Sequence, residues 1–71
     1  MKVHRYMLHV KFHNVLAKHA HQSIQTSGRD VRLALNQGLK EILKREGVKR
    51  HRHKITEYKM VVIEEGLTDA T

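Results

Sequence analysis

The hydrophobic positions of the chain change period twice, and each change marks an element. Between Val3 and His13, the residues Tyr6, Leu8, Val10 and Phe12 alternate with Met7, His9, Lys11 and His13. This is the two-residue repeat of a strand with one face packed and the other wet. Between Ser27 and Gly47 the apolar residues Val31, Ala34, Leu35, Leu39, Ile42 and Leu43 recur at steps of three and four, which places them on one stripe of a helix. Ser27 is the expected N-cap, with Asp30 completing a Ser-x-x-Asp capping box at the positive end of the helix dipole. Gly47 is the expected stop, Lys44 and Arg45 complement the carbonyl end, and Glu41 lies one turn from Arg45. After a connector from Val48 to Lys54 the two-residue period returns: Thr56, Tyr58, Met60 and Val62 alternate with Glu57, Lys59, Val61 and Ile63. Near the end of this strand Val61, Val62 and Ile63 make both faces apolar, which predicts either a central place in the sheet or a partner over the outer face.

Asn14 to Thr26 is less legible, because it lacks the glycine or proline that usually marks a hairpin turn. Two readings compete. In one, Asn14 to Lys18 turn and His19 to Thr26 return as a strand with Ala20 and Ile24 facing the core. In the other, Leu16, Ala20 and Ile24 belong to a short helix. The β-branched and polar character of Ile24, Gln25 and Thr26 favours the strand. The order is then strand, strand, helix, strand: an α+β domain over residues 1–66, with one amphipathic helix on a three-stranded antiparallel sheet. Strand one lies in the middle of that sheet, and the face carrying Tyr6, Leu8, Val10 and Phe12 lies under the helix. Residues 67–71 are expected to form a frayed tail.

Size narrows the function classes. A chain of 71 residues buries only about 60% of the surface its unfolded form exposes. It has little room to enclose a substrate, so an enzyme is not expected, and no cofactor is implied. The chain contains no cysteine, which removes disulfides and thiolate metal sites. No run approaches the length of a membrane span and no leader pattern is present, so a cytoplasmic, intracellular setting is expected, with no membrane partner. Fourteen Lys and Arg against seven Asp and Glu give a net charge of +7, and seven histidines stand beside them. Partners of such a chain are expected to be anionic, nucleic acid first among them.

The most concentrated chemistry is the run Lys49, Arg50, His51, Arg52, His53 and Lys54 between helix and last strand. On extended backbone it presents side chains to two sides, where guanidinium groups take phosphate oxygens in pairs and lysine acts as a point charge. Arg29 and Arg32 near the helix start, with Lys40 and Lys44 along the helix, widen this surface. A second pattern is the parity of His9, His13, His19, His21, His51 and His53. If paired residues of the first hairpin sum to an even number, the first four share the outer sheet face, where imidazoles can bind phosphate or, when three or four converge, a metal. A third feature is Leu33, on the helix face opposite the stripe, which with Met7, Val61 and Ile63 suggests a contact patch for another chain. Catalytic machinery is absent from the pattern: Ser27 is better used as a cap, there is no nucleophile elbow, and the acids are scattered. Tyr6, Phe12 and Tyr58 are too few, and too much on the core side, for a base-stacking platform.

The expectation is therefore a small basic module, a homodimer, that contacts phosphates of duplex DNA or structured RNA without base-specific readout. The alternative is a protein-interaction or inhibitor module, of the kind small viral or accessory genes encode. It would work through the open sheet face or an edge strand, with Leu33, Val61 and Ile63 at its interface. A histidine metal site is a distant third.

Overall fold

The computed structural model describes the backbone of residues 2–68 and the side chains of residues 3–64. The chain forms β1 (Lys2–Phe12), β2 (His21–Gly28), α1 (Val31–Ile42) and β3 (Ile55–Thr68). The three strands make one antiparallel sheet in the order β2-β1-β3, and α1 packs on one face of it, the expected α+β architecture with β1 in the middle. Of the two readings of residues 14–26, the strand holds for its second half. The chain leaves β1, makes a short 3-10 turn at Ala17–His19 and returns as β2.

Register carries the alternation across all three strands. In the β1–β2 hairpin Leu8 pairs with Ile24 and Lys11 with His21, the even-sum register on which the histidine argument depended. On the other side Leu8 pairs with Met60 and Lys11 with Glu57. Even-numbered residues of β1 consequently face the helix, and Tyr6, Leu8, Val10 and Phe12 are all buried. From α1 come Ala34, Leu39 and Ile42, with Val15, Ile24, Leu35, Leu43, Ile55 and Met60 at the margin. Val48, from the otherwise basic connector, is fully buried in the same cluster.

Three local expectations change. Ser27 does not cap the helix, because it is still paired with Arg5 in the sheet and Gly28 with His4. Asp30 takes the role instead: its backbone is extended and its carboxylate accepts a 2.9 Å hydrogen bond from the Leu33 amide. The helix also ends earlier than Gly47. Beyond Ile42 the chain tightens into turns, with the Lys44 amide on the Glu41 carbonyl and the Arg45 amide on that of Ile42, and so delivers Val48 to the core. Glu41 accordingly pairs with Lys44 at 3.5 Å, not with Arg45. Finally, β3 is an edge strand, so the run of Val61, Val62 and Ile63 does not mark a central position. Its pairing continues to Leu67 and Thr68, opposite Val3 and Lys2, into the stretch expected to fray. Residues 69–71 of the expected tail lie outside the described residues. Among the described residues no helix is long and apolar enough to cross a membrane.

The helix is held close to the sheet at Gly38. A Cβ built there would lie 2.7 Å from Leu8 Cδ2 and 3.4 Å from Thr26 Cβ, inside van der Waals contact. Beside it the buried Thr26 hydroxyl donates to the Ala34 carbonyl at 2.8 Å. Alanine in place of glycine favours a helix by about 1 kcal/mol, but overfilling a packed core costs about 1–3 kcal/mol. Gly38→Val should therefore lower stability by about 2 kcal/mol or more in urea melts, since its extra methyls meet a fully buried Leu8. Pairing Gly38→Ala with Leu8→Val should show a favourable coupling above about 0.5 kcal/mol. Strict additivity of that pair would show that the two residues do not compete for space.

Candidate nucleic-acid interface

The basic run is not extended. After Val48 enters the core, Lys49 and Arg50 turn, and Arg52–Lys54 form a single 3-10 turn that leads into β3. Lys49, Arg50, Arg52 and His53 are exposed, whereas His51 and Lys54 are half-buried and committed locally. The Lys54 ammonium donates to the Asn14 carbonyl at 3.1 Å, and the Lys54 carbonyl accepts from the His13 amide at 2.9 Å. The His51 ring turns Nδ1 inward, buried without a hydrogen-bond partner among the described residues, and its other side meets the His53 ring at 6.0 Å between centroids. So four of the six side chains face outward, and Lys54 fastens the turn to the β1–β2 loop.

That fastening brings three segments to one end of the sheet. The end of β1 contributes Lys11, the following loop contributes His13, Lys18 and His19, and the post-helix turn contributes Lys49, Arg50, Arg52 and His53. Gly47 makes the junction possible. Its φ of +91° is readily adopted by glycine, and the His19 ring lies directly against the space a side chain would fill. Arg45 closes the same corner by donating to the Gln22 side chain at 3.0 Å and to the Ser23 carbonyl at 3.1 Å. Gln22 in turn donates to the His19 carbonyl at 3.0 Å.

Arg29 and Arg32 do not join this cluster. They sit at the N-terminal end of α1, whose 12 residues span about 18 Å at 1.5 Å per residue, and the basic turn follows its other end. Of the histidines, His9 and His21 meet on the open face with ring centroids 5.8 Å apart. His13 and His19 have left the ladder by then, and among the described residues no group of three or more His, Cys, Asp or Glu side chains is placed to hold a metal. Leu33 is also separated from its proposed companions. It neighbours Gly28 on β2, whereas Val61 and Ile63 lie on β3, across the sheet.

Sequence singled out Arg50 for its charge but not for its backbone conformation. Arg50 is held at φ 64°, the left-handed region that disfavours residues with a side chain by about 1 kcal/mol or more. Asn14, the other such residue, is a type that tolerates this backbone. The chain matches no protein-family model, no curated protein and no solved structure. The strain at Arg50 gives a direct test: Arg50→Gly should raise stability by about 0.5–1 kcal/mol, because the gain in backbone fit exceeds the added freedom of the unfolded chain. Arg52→Ala should leave the urea midpoint nearly unchanged, and a loss of stability in Arg50→Gly would mean that the arginine side chain packs the turn.

Proposed function

We propose that the chain is a small intracellular module that binds nucleic acid through its phosphates, by way of the basic end of the sheet and without base-specific readout. The observation that carries this reading is that the segments bearing Lys11, Lys18 and the exposed Lys49, Arg50 and Arg52 meet at that end of the sheet. Arginine at Arg50, where glycine would relieve the backbone, supports selection for charge at that point. The role is one of docking and not of chemistry. Tyr6 and Phe12 are buried in the core, which leaves Tyr58 as the exposed aromatic of the sheet and argues for phosphate contact over base stacking.

A second observation favours self-association through β3. At the β2 edge, Arg45 occupies the Ser23 carbonyl and α1 lies alongside. The β3 edge instead carries apolar side chains on both faces, with Tyr58 54% exposed, Val62 48%, Ile63 41% and Val61 39%. The occupant we propose is a second copy. Antiparallel pairing about a two-fold at Tyr58 sets each Glu57 opposite the other copy's Lys59 and each Val61 opposite the other copy's Ile55, so this part of the edge is complementary to itself.

Two predictions follow from these surfaces. Fluorescence anisotropy with labelled duplex across a salt series should give a log-log slope of about −4 if four or five phosphates are contacted. The Lys49→Ala, Arg50→Ala, Arg52→Ala triple variant should flatten that slope by about 2–3, while Arg29→Ala with Arg32→Ala changes it by less than about 1. Wild-type binding by the triple variant would end the nucleic-acid reading. For the edge, light scattering should report a dimer that Val61→Asp converts to monomer and Leu33→Asp does not. A monomeric wild type at ~100 μM, weaker than a Kd in the micromolar range allows, would end the self-association reading.

A further inference from the structure

The open face of the sheet holds a second concentration of charge, in an ordered grid. Two cross-strand rows lie one above the other: Ser23, His9 and Lys59 in the first, and His21, Lys11 and Glu57 in the second, each row contributed by β2, β1 and β3 in that order. His9, Lys11, His21, Glu57 and Lys59 line a shallow cavity of about 320 Å³, at the lower end of the ~300–1,000 Å³ of small-ligand sites.

Two features of the grid point to an anion. The first is who faces whom. Groups able to carry positive charge are direct cross-strand neighbours in both rows, His9 beside Lys59 and Lys11 beside His21. Wherever the imidazoles are protonated, like charges so placed destabilise a sheet, and an anion between them removes the conflict. Glu57 is the acid of the grid, and it stands 4.0 Å from the Lys11 ammonium, with both side chains more than half exposed. The second feature is preorganisation. The His9 ring shares a 2.9 Å hydrogen bond between Nδ1 and the Ser23 hydroxyl, which fixes the imidazole and leaves Nε2 for a ligand.

We infer that this cavity is a discrete phosphate site, in which Lys11 and Lys59 supply the charge and His9 and His21 the directed donors to one phosphate group. The class of ligand is a phosphate ester of mononucleotide size. A tetrahedral phosphate offers several acceptor oxygens to donors arriving from three strands, and lysine holds such a group as a point charge. In the free protein Glu57 occupies Lys11, and an arriving phosphate displaces it. The carboxylate is thus a competitor for the site, which separates a phosphate site from a metal site. A cation held by His9, His21 and Glu57 would need that carboxylate. The cavity shares Lys11 with the basic end of the sheet but none of Lys49, Arg50 and Arg52, and the phosphate can come from a free nucleotide or from a strand.

Titration of the full chain with inorganic phosphate and with adenosine monophosphate, followed by imidazole NMR signals, tests it. At about 10 mM ligand, tenfold above a ~1 mM Kd, the His9 and His21 resonances should move together while those of His51 and His53 stay. Glu57→Gln should tighten binding about threefold or more, and Lys11→Met or Lys59→Met should weaken it about tenfold, with unchanged amide spectra reporting an intact fold. Equal movement of all histidines, no movement at all, or weaker binding in Glu57→Gln would overturn the site. Movement of His9 and His21 by a single-stranded oligonucleotide but by neither small ligand would also overturn it, leaving only an extended basic surface. Retention of the phosphate response in the Lys49, Arg50 and Arg52 triple variant, after loss of duplex binding, would show the two surfaces to be separate.

Discussion

The helix can come no closer to the sheet than Gly38 allows, and much of the molecule is arranged by that contact. Where a side chain would stand, Leu8 and Thr26 fill the space. The Thr26 hydroxyl then fixes the helix along its axis through the Ala34 carbonyl. A helix is about 10 Å across and strands are about 4.8 Å apart, so a helix seated over β2 and β1 covers those two strands and stops. The third strand is left with its inner face partly uncovered, and exposed Tyr58 and Val62 are the direct result. The bare edge of β3 is therefore a consequence of where the helix crosses, not a separate feature.

The same seating determines what the end of the helix can do. The turns after Ile42 carry the chain inward to bury Val48, and Val48 anchors an otherwise fully polar segment. Without that anchor the basic run would be a solvated connector, its ammonium and guanidinium groups free to separate. With it, Lys54 reaches Asn14, His19 sits against Gly47, and charges far apart in sequence share one surface. A small apolar contribution thus organises a large electrostatic one, which is how a thin core can still present a defined charged face.

Alternation made the strands legible, and the three-to-four spacing made the helix legible, because burial on one side imposes those periods directly. The even-sum register stood only as a condition, because residues 14–26 carry no turn signal to fix it, and a slip by one residue would have turned Ile24 away from the core. Other features depended on comparisons that no single stretch contains. Ser27 and Asp30 both satisfy cap chemistry, and only the pairing of Ser27 with Arg5 decides between them. Val48 looked like one apolar residue in a charged run, though its position directly after Gly47 was the available signal. Gly38 inside a helix carried a cost against alanine that sequence left unexplained until Leu8 lay beneath it. The grid on the open face needed two registers at once, because His21, His9 and Lys59 come from three strands.

That grid also shows how a two-layer protein uses the sheet face its helix does not cover. An antiparallel sheet tolerates water on one side, so the open face is free to carry charge without desolvation of every group. Its limit is mutual repulsion: cations such as Lys11 and Lys59 cannot be brought together indefinitely on neighbouring strands. Glu57 relieves part of that repulsion, pairing with Lys11 in solvent where such a pair contributes at most about 1 kcal/mol. So weak a pair is stable enough to ease the crowding of positive charge and weak enough to be displaced. The carboxylate that steadies the free sheet is then the group an incoming phosphate must replace, and stability and affinity oppose each other at one residue.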